Sequence, residues 1–181
     1  MNENWEMFFD MLMKHEGGFT DDQKDRGNSQ GDGHGNEGST MLGVTSKNWA
    51  RHTGKPAPKD VMKALTKDDV KPLYKKNYWD AVKADQLPSG VDISCADLCV
   101  NAGPKQASVI LQRAVGATAD GKIGPMTIKA TYDRPVKEVL DNYYQGREGF
   151  YRKLDDYSHF GRGWSRRNKE TLELALGLVN E

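Results

Sequence analysis

Glu16 and Asp25 lie nine positions apart, joined by a loop that opens on Gly17-Gly18. Ahead of Glu16, the residues Trp5, Phe8, Phe9 and Leu12 recur at helical spacing, so the acid closes an apolar stripe just where the glycines stop the helix. A carboxyl at the end of such a face is partly desolvated. Desolvation favours its neutral form and prepares it to donate a proton. A second carboxylate swung opposite it completes the pair that cleavage of a glycosidic bond requires. Thr40, in the run Thr40-Met41-Leu42-Gly43-Val44-Thr45, has a hydroxyl able to hold a water or cap a backbone group. Residue types alone leave plainer readings open. Glu16 is also a fitting helix-end acid in water, Asp25 a solvated loop acid like Asp21, Asp22 and Asp32, and Thr40 a turn threonine.

Other constellations compete with this pair. Phe160 to Lys169 places Trp164 among Arg162, Arg166, Arg167 and Lys169, an arrangement that can stack on a sugar face and attract an anionic polymer. It reads equally well as a helix start with a basic side. Asn101, before Gly103-Pro104, offers an amide donor and acceptor to a ligand or to a helix end. Gly33 to Gly38 spells G-x-G-x-x-G, but no strand precedes it and no helix follows at once, which argues against a dinucleotide site. The acids from Asp21 to Asp25 lack the central glycine and terminal bidentate acid of a calcium loop. His15, His34, His52 and His159 show no metal-ligand spacing. Cys95 and Cys99, four apart on a helical segment, read as buried small hydrophobes rather than a disulfide.

The elements that must position these groups are helical. After the helix over 5–16, residues 19–43 form a glycine-rich loop, with room for a short hairpin. A helix over 46–53 stops at Gly54. Thr66 with Asp69 forms a capping-box start, and that segment runs to Tyr78-Trp79 with a kink at Pro72. Residues 91–102 continue helically to the Gly103-Pro104 break, and Ala107, Ile110, Leu111 and Ala114 mark a helix ending at Gly116. Pro125 opens a short helix, a long one spans 136–154, and Ser165 caps the last.

Composition bounds the rest. With 36% hydrophobic and 29% charged residues, and no apolar run near the roughly 20 residues of a spanning helix, no membrane protein is expected. Lys and Arg total 26, as do Asp and Glu, so no basic excess points to nucleic acid. The first residues carry Glu3, Glu6 and Asp10 where a signal peptide carries positive charge, which reads as a chain made in the cytosol.

His15-Glu16-Gly17-Gly18-Phe19, Asp25 and Thr40-x-x-Gly43-Val44-Thr45 resemble the opening signature of the glycoside hydrolase family 108 peptidoglycan muramidases. Further runs match in order: Tyr78-Trp79-Asp80, Asp97 with Val100 to Pro104, Leu111 to Ala114, Asp120 to Pro125, and Phe160 to Arg167. The resemblance covers about residues 5–177. It implies a mainly α, lysozyme-like fold of helical lobes around a cleft. The expected division is a catalytic lobe over 1–85 and a helical, peptidoglycan-associated region over 86–181, packed together. It also implies hydrolysis of the β-1,4 bond between N-acetylmuramic acid and N-acetylglucosamine, as in a phage endolysin. Glu16 takes the family's catalytic acid position, Asp25 that of its aspartate and Thr40 that of its threonine. Gly27 to Asn36 is an insertion relative to the family and makes Asp32 and Glu37 competitors for the second carboxylate. Tyr78, Trp79, Asp97, Asn101 and Trp164 are the expected glycan contacts.

No cofactor or metal is called for. The expected partner is bacterial peptidoglycan, with no nucleic acid, no stable membrane insertion and a monomeric chain. It would act on the wall after another factor opens the host membrane. A lytic transglycosylase and a non-catalytic wall-binding module are the rival readings.

Overall fold

The computed structural model describes residues 2–179, with side chains from Asn4 to Val179. The fold is mainly α with one short β-hairpin, and no described helix is long and apolar enough to cross a membrane. The chain divides into two compact units, Phe9–Lys75 and Met1–Phe8 with Lys76–Glu181.

The smaller unit takes the second half of helix α1 (Asn2–His15), strands β1 (Thr40–Met41) and β2 (Val44–Thr45), and helices α2 (Ser46–Thr53), α3 (Lys59–Lys63) and α4 (Lys67–Tyr74). Phe9, Leu12 and Met13 are buried along one face of α1, and the Glu16 N–H still donates to Leu12 O at 3.2 Å. Glu16 therefore rides on the last turn. The helix stops at the two glycines without a left-handed residue, since neither Gly17 nor Gly18 has a positive φ. β1 and β2 pair antiparallel, Thr40 with Thr45 and Met41 with Val44, and Thr20 bridges to Thr40 from outside. Thr45 also caps α2, accepting from Asn48 N at 3.2 Å, and Gly54 ends it with φ 71°. The capping box forms in full: Thr66 Oγ1 accepts from Asp69 N while the Asp69 carboxylate accepts from Thr66 N. Pro72 sits inside α4. The helix loses regularity after Tyr74, in a π turn over Lys75–Trp79.

The larger unit is built on α5 (Val91–Val115), α6 (Pro125–Tyr132), α7 (Val136–Arg152) and α8 (Tyr157–Val179). Gly103, at φ 84° and ψ 164°, breaks α5 at the expected place. The start of α8 differs from expectation. It begins at Tyr157, not Ser165, and Ser165 lies inside it, donating to Glu148 Oε2 at 2.9 Å. Gly161 and Gly163 suggest an interrupted segment, but Gly161 is buried so closely against Tyr157 that a Cβ would lie 2.5 Å from the ring. Packing there overrides low helix propensity. Asn4 lies inside α1 and donates to Asp92 Oδ2 at 2.7 Å.

Two expected glycan contacts are corrected here. Trp79 is wholly buried, with the rings of Trp5 and Phe8 each 5.6 Å away and its indole N–H donating to Asp85 Oδ1 at 2.9 Å. Asp97 is also wholly buried, held by Arg147 and Arg167, each at 2.7 Å, and by the Thr171 hydroxyl. Burial by itself would raise the Asp97 carboxyl, yet the two guanidiniums hold it below its ordinary value. Neither side chain has a face left for a sugar.

Candidate active site

Every element of the candidate site belongs to the smaller unit. Glu16 leaves α1 half-buried, and its carboxyl lies against the backbone of Gly43. Gly43 and Leu42 are the two central residues of the β1–β2 turn, with φ of 75° and 50°. Two successive positive φ values match the twist of a tight hairpin turn, which glycine adopts freely and leucine only at a cost. A Cβ on Gly43 would overlap Glu16 Oε2 and lie 2.5 Å from Tyr74 Oη. The Tyr74 hydroxyl in turn donates to Leu42 O at 2.8 Å. Tyr74 is itself buried at the end of α4, its ring edge-on to Phe9 at 6.1 Å. One face of α1 therefore supplies both Glu16 and the ring that seats Tyr74.

The paired base of the same hairpin gathers the second set of groups. A Cβ on Gly27 would lie 3.1 Å from Thr45 Cγ2, 3.2 Å from Asp25 Oδ1 and 3.8 Å from Thr40 Oγ1. Asp25 is exposed, and Oδ1 accepts from Gly27 N at 2.7 Å, so a tight turn fixes the carboxylate. The Thr40 hydroxyl donates to Asn28 Oδ1 at 2.7 Å. Asn28 is wholly buried, and its amide donates to Asp22 O at 3.0 Å. Asp25 and Thr40 thus come together at the base of the hairpin, and Glu16 meets it at the turn.

Asp32 and Glu37 are placed elsewhere. Asp32 is buried and accepts four hydrogen bonds, from His34 N, Asn36 N, Asn36 Nδ2 and Ala57 N. Burial opposes its ionisation, but these donors hold the carboxyl far below its ordinary value. Glu37 is exposed and pairs with Lys59 at 2.8 Å, and Lys59 also reaches Asp21 at 3.2 Å. The glycine-rich segment is a stapled loop, and its G-x-G-x-x-G stretch serves to wrap Asp32.

The remaining expected contacts lie in the larger unit. Tyr78 is half-buried and Asn101 exposed, one residue into the last turn before the Gly103 break. Trp164 is half-buried, stacked on Tyr151 at 5.4 Å and tilted against Phe160 at 5.8 Å. Cys95 and Cys99 are buried free thiols. Among the described residues no group of three or more His, Cys, Asp or Glu is placed to hold a metal ion.

A family model for glycosyl hydrolase 108 matches residues 9–103, more than half of the chain. The chain belongs to the glycosyl hydrolase 108 family. The matched span of this glycosyl hydrolase contains Glu16, Asp25, Thr40, Gly43 and Tyr74. A second model, described as a predicted peptidoglycan domain, matches residues 106–169, so the hydrolase segment is followed by a peptidoglycan-associated one. A solved structure of SagA from Brucella abortus is similar over 100% of this chain and 98% of that one, at 29% identity and a TM-score of 0.84. No curated protein matches the sequence.

Tyr74 and Asn28 are the site residues that sequence reasoning missed, and Gly43 entered it only as part of the family signature. Tyr74 falls in the helical stripe of Val70 and Leu73 and reads as core. Leu42-Gly43 between Thr40-Met41 and Val44-Thr45 does carry a signal, an X-Gly pair between two short β-prone runs. Asn28 carries none, because its burial depends on contacts across the loop.

Proposed function

We propose that this glycosyl hydrolase cleaves the β-1,4 bond between N-acetylmuramic acid and N-acetylglucosamine in peptidoglycan, as a lysozyme-type endolysin. One observation carries the reading: a single hairpin has a half-buried carboxyl, Glu16, at its turn and an exposed carboxylate, Asp25, with Thr40 at its base. In this mechanism Glu16 protonates the leaving glycosidic oxygen. With Oδ1 held by Gly27 N–H, Asp25 keeps its other oxygen for an attacking water. Thr40 spends its own proton on Asn28, so its oxygen accepts from that water and orients it. Tyr78, Asn101 and Trp164 are the glycan contacts retained in this proposal. The segment over 106–169 keeps the enzyme on the wall polymer. Access to the wall is supplied by another factor that opens the membrane.

Muropeptide analysis of digests by the wild type and by Glu16→Gln tests it. Hydrolysed reducing ends are expected from the wild type and none from the variant, with equal melting temperatures. Anhydro-muramic ends would identify a lytic transglycosylase. Binding to sacculi without release of reducing sugar would identify a wall-binding module.

A further inference from the structure

On the reading of Glu16 as proton donor, we propose that Tyr74 is a positioning residue that holds Glu16 in its acid form, through a hydrogen-bond chain from the Glu16 carboxyl to the Tyr74 hydroxyl to the Leu42 carbonyl. A phenol has one proton to donate and lone pairs to accept with. The Leu42 carbonyl accepts only, and lies 2.8 Å from Tyr74 Oη, so the phenolic proton is directed there. The same oxygen converges with Glu16 Oε2 on the space beside Gly43 that a methyl group would fill. What Tyr74 turns toward Glu16 is then a lone pair, which suits a protonated carboxyl that donates. A carboxylate in that place would have to draw the phenolic proton away from Leu42 O.

The surroundings make that choice matter. Tyr74 is 2% exposed, so little water competes for its hydroxyl. The Leu42 carbonyl is aimed by a residue in the left-handed region, and Gly43 lets both side chains reach the turn because it has none. When the glycosidic C–O bond breaks, the Glu16 O–H bond breaks with it and that proton goes to the leaving sugar oxygen. No bond of Tyr74 breaks. Its O–H turns from Leu42 O toward the carboxylate left behind, and turns back when Glu16 regains a proton from solvent.

Tyr74→Phe in the whole chain tests this on two substrates. One is soluble uncrosslinked glycan strands. The other is an aryl glycoside of a muramyl oligosaccharide, whose phenolate leaves without needing a proton. The expected result is a kcat about 10- to 100-fold lower on glycan, with KM unchanged and the aryl glycoside turned over within about twofold of wild type. An equal fall on both substrates would make Tyr74 merely structural and overturn the proposal, as would no fall on either. If Tyr74→Phe does not fold, replacement of Tyr74 by 3-fluorotyrosine is the second variant, since the fluorine makes the phenol oxygen a poorer acceptor with the hydroxyl still in place. The same glycan-selective loss is expected, and an equal loss again overturns the idea. Glycan cleavage retained by Glu16→Gln is a separate failure, of the proton-donor reading itself.

Discussion

The Glu16 carboxyl rests on the backbone of Gly43, in the space a side chain there would occupy. The acid comes from the end of α1 and the glycine from the tip of the β1–β2 turn, which are 27 positions apart in sequence. Glycine is required at this position for two separate reasons. It accepts φ 75°, and it leaves room for Glu16 Oε2 and Tyr74 Oη.

Asp25→Asn keeps the turn to Gly27 but removes the proposed base, and should lower kcat on glycan by about 10²–10⁴-fold. Thr40→Val and Asn28→Ala should cost less, about tenfold, because each only loosens the water. Steady-state rates on soluble glycan strands, beside melting curves, check the order.

Asp32→Asn should destabilise the smaller unit by about 2–4 kcal/mol, since the replacement amide puts N–H groups among four donors that face a buried carboxylate. Because Asp32 also holds Ala57, local hydrogen exchange should rise around both 28–38 and 57. A change confined to activity, with unaltered stability, would count against the stapled loop.

Acid should unfold the chain through Asp32 and Asp97. Both carboxyls are held below their ordinary value in the folded state. Their stabilisation is therefore complete above the unfolded value of about 3.9 and is lost as pH falls through the lower folded values. Asp97→Asn should show less of this acid dependence and cost about 3–5 kcal/mol at neutral pH, because it leaves the buried Arg147 without its counter-charge. Chemical denaturation at several pH values measures both effects.

The two cysteines should resist thiol reagents in the native protein. Burial pushes the Cys99 thiol up to about 12, and the Cys95 thiol higher still. Labelling with a thiol reagent should appear only with unfolding, and rapid native labelling would refute the placement.

Much of the scaffold was legible locally. The stripe ending in Glu16, the Thr66–Asp69 capping box, Gly54, the Gly103 break and Pro125 act over one or two turns of chain, where spacing and backbone preference are enough. Ser165 and Trp79 were misread for one reason. A helix start at a serine and a Tyr-Trp-Asp run are local signs, while Ser165 donating to Glu148 of α7 and Trp79 closing on Trp5 and Phe8 are contacts between elements.

By itself the sequence determined the helical class, the acid at the end of an apolar helix face and the glycine-rich loop after it, because each depends on residue periodicity and on backbone freedom. Only the tertiary structure decided which acids stay exposed for chemistry and which are consumed in support. Asp25 and Asp32 are the same residue type seven positions apart in one loop, yet one faces solvent beside Thr40 and the other is closed in by four donors. That difference rests on Ala57 N–H arriving from 25 residues away and on the buried Asn28 amide. Such long-range hydrogen bonds leave no periodic trace in the chain.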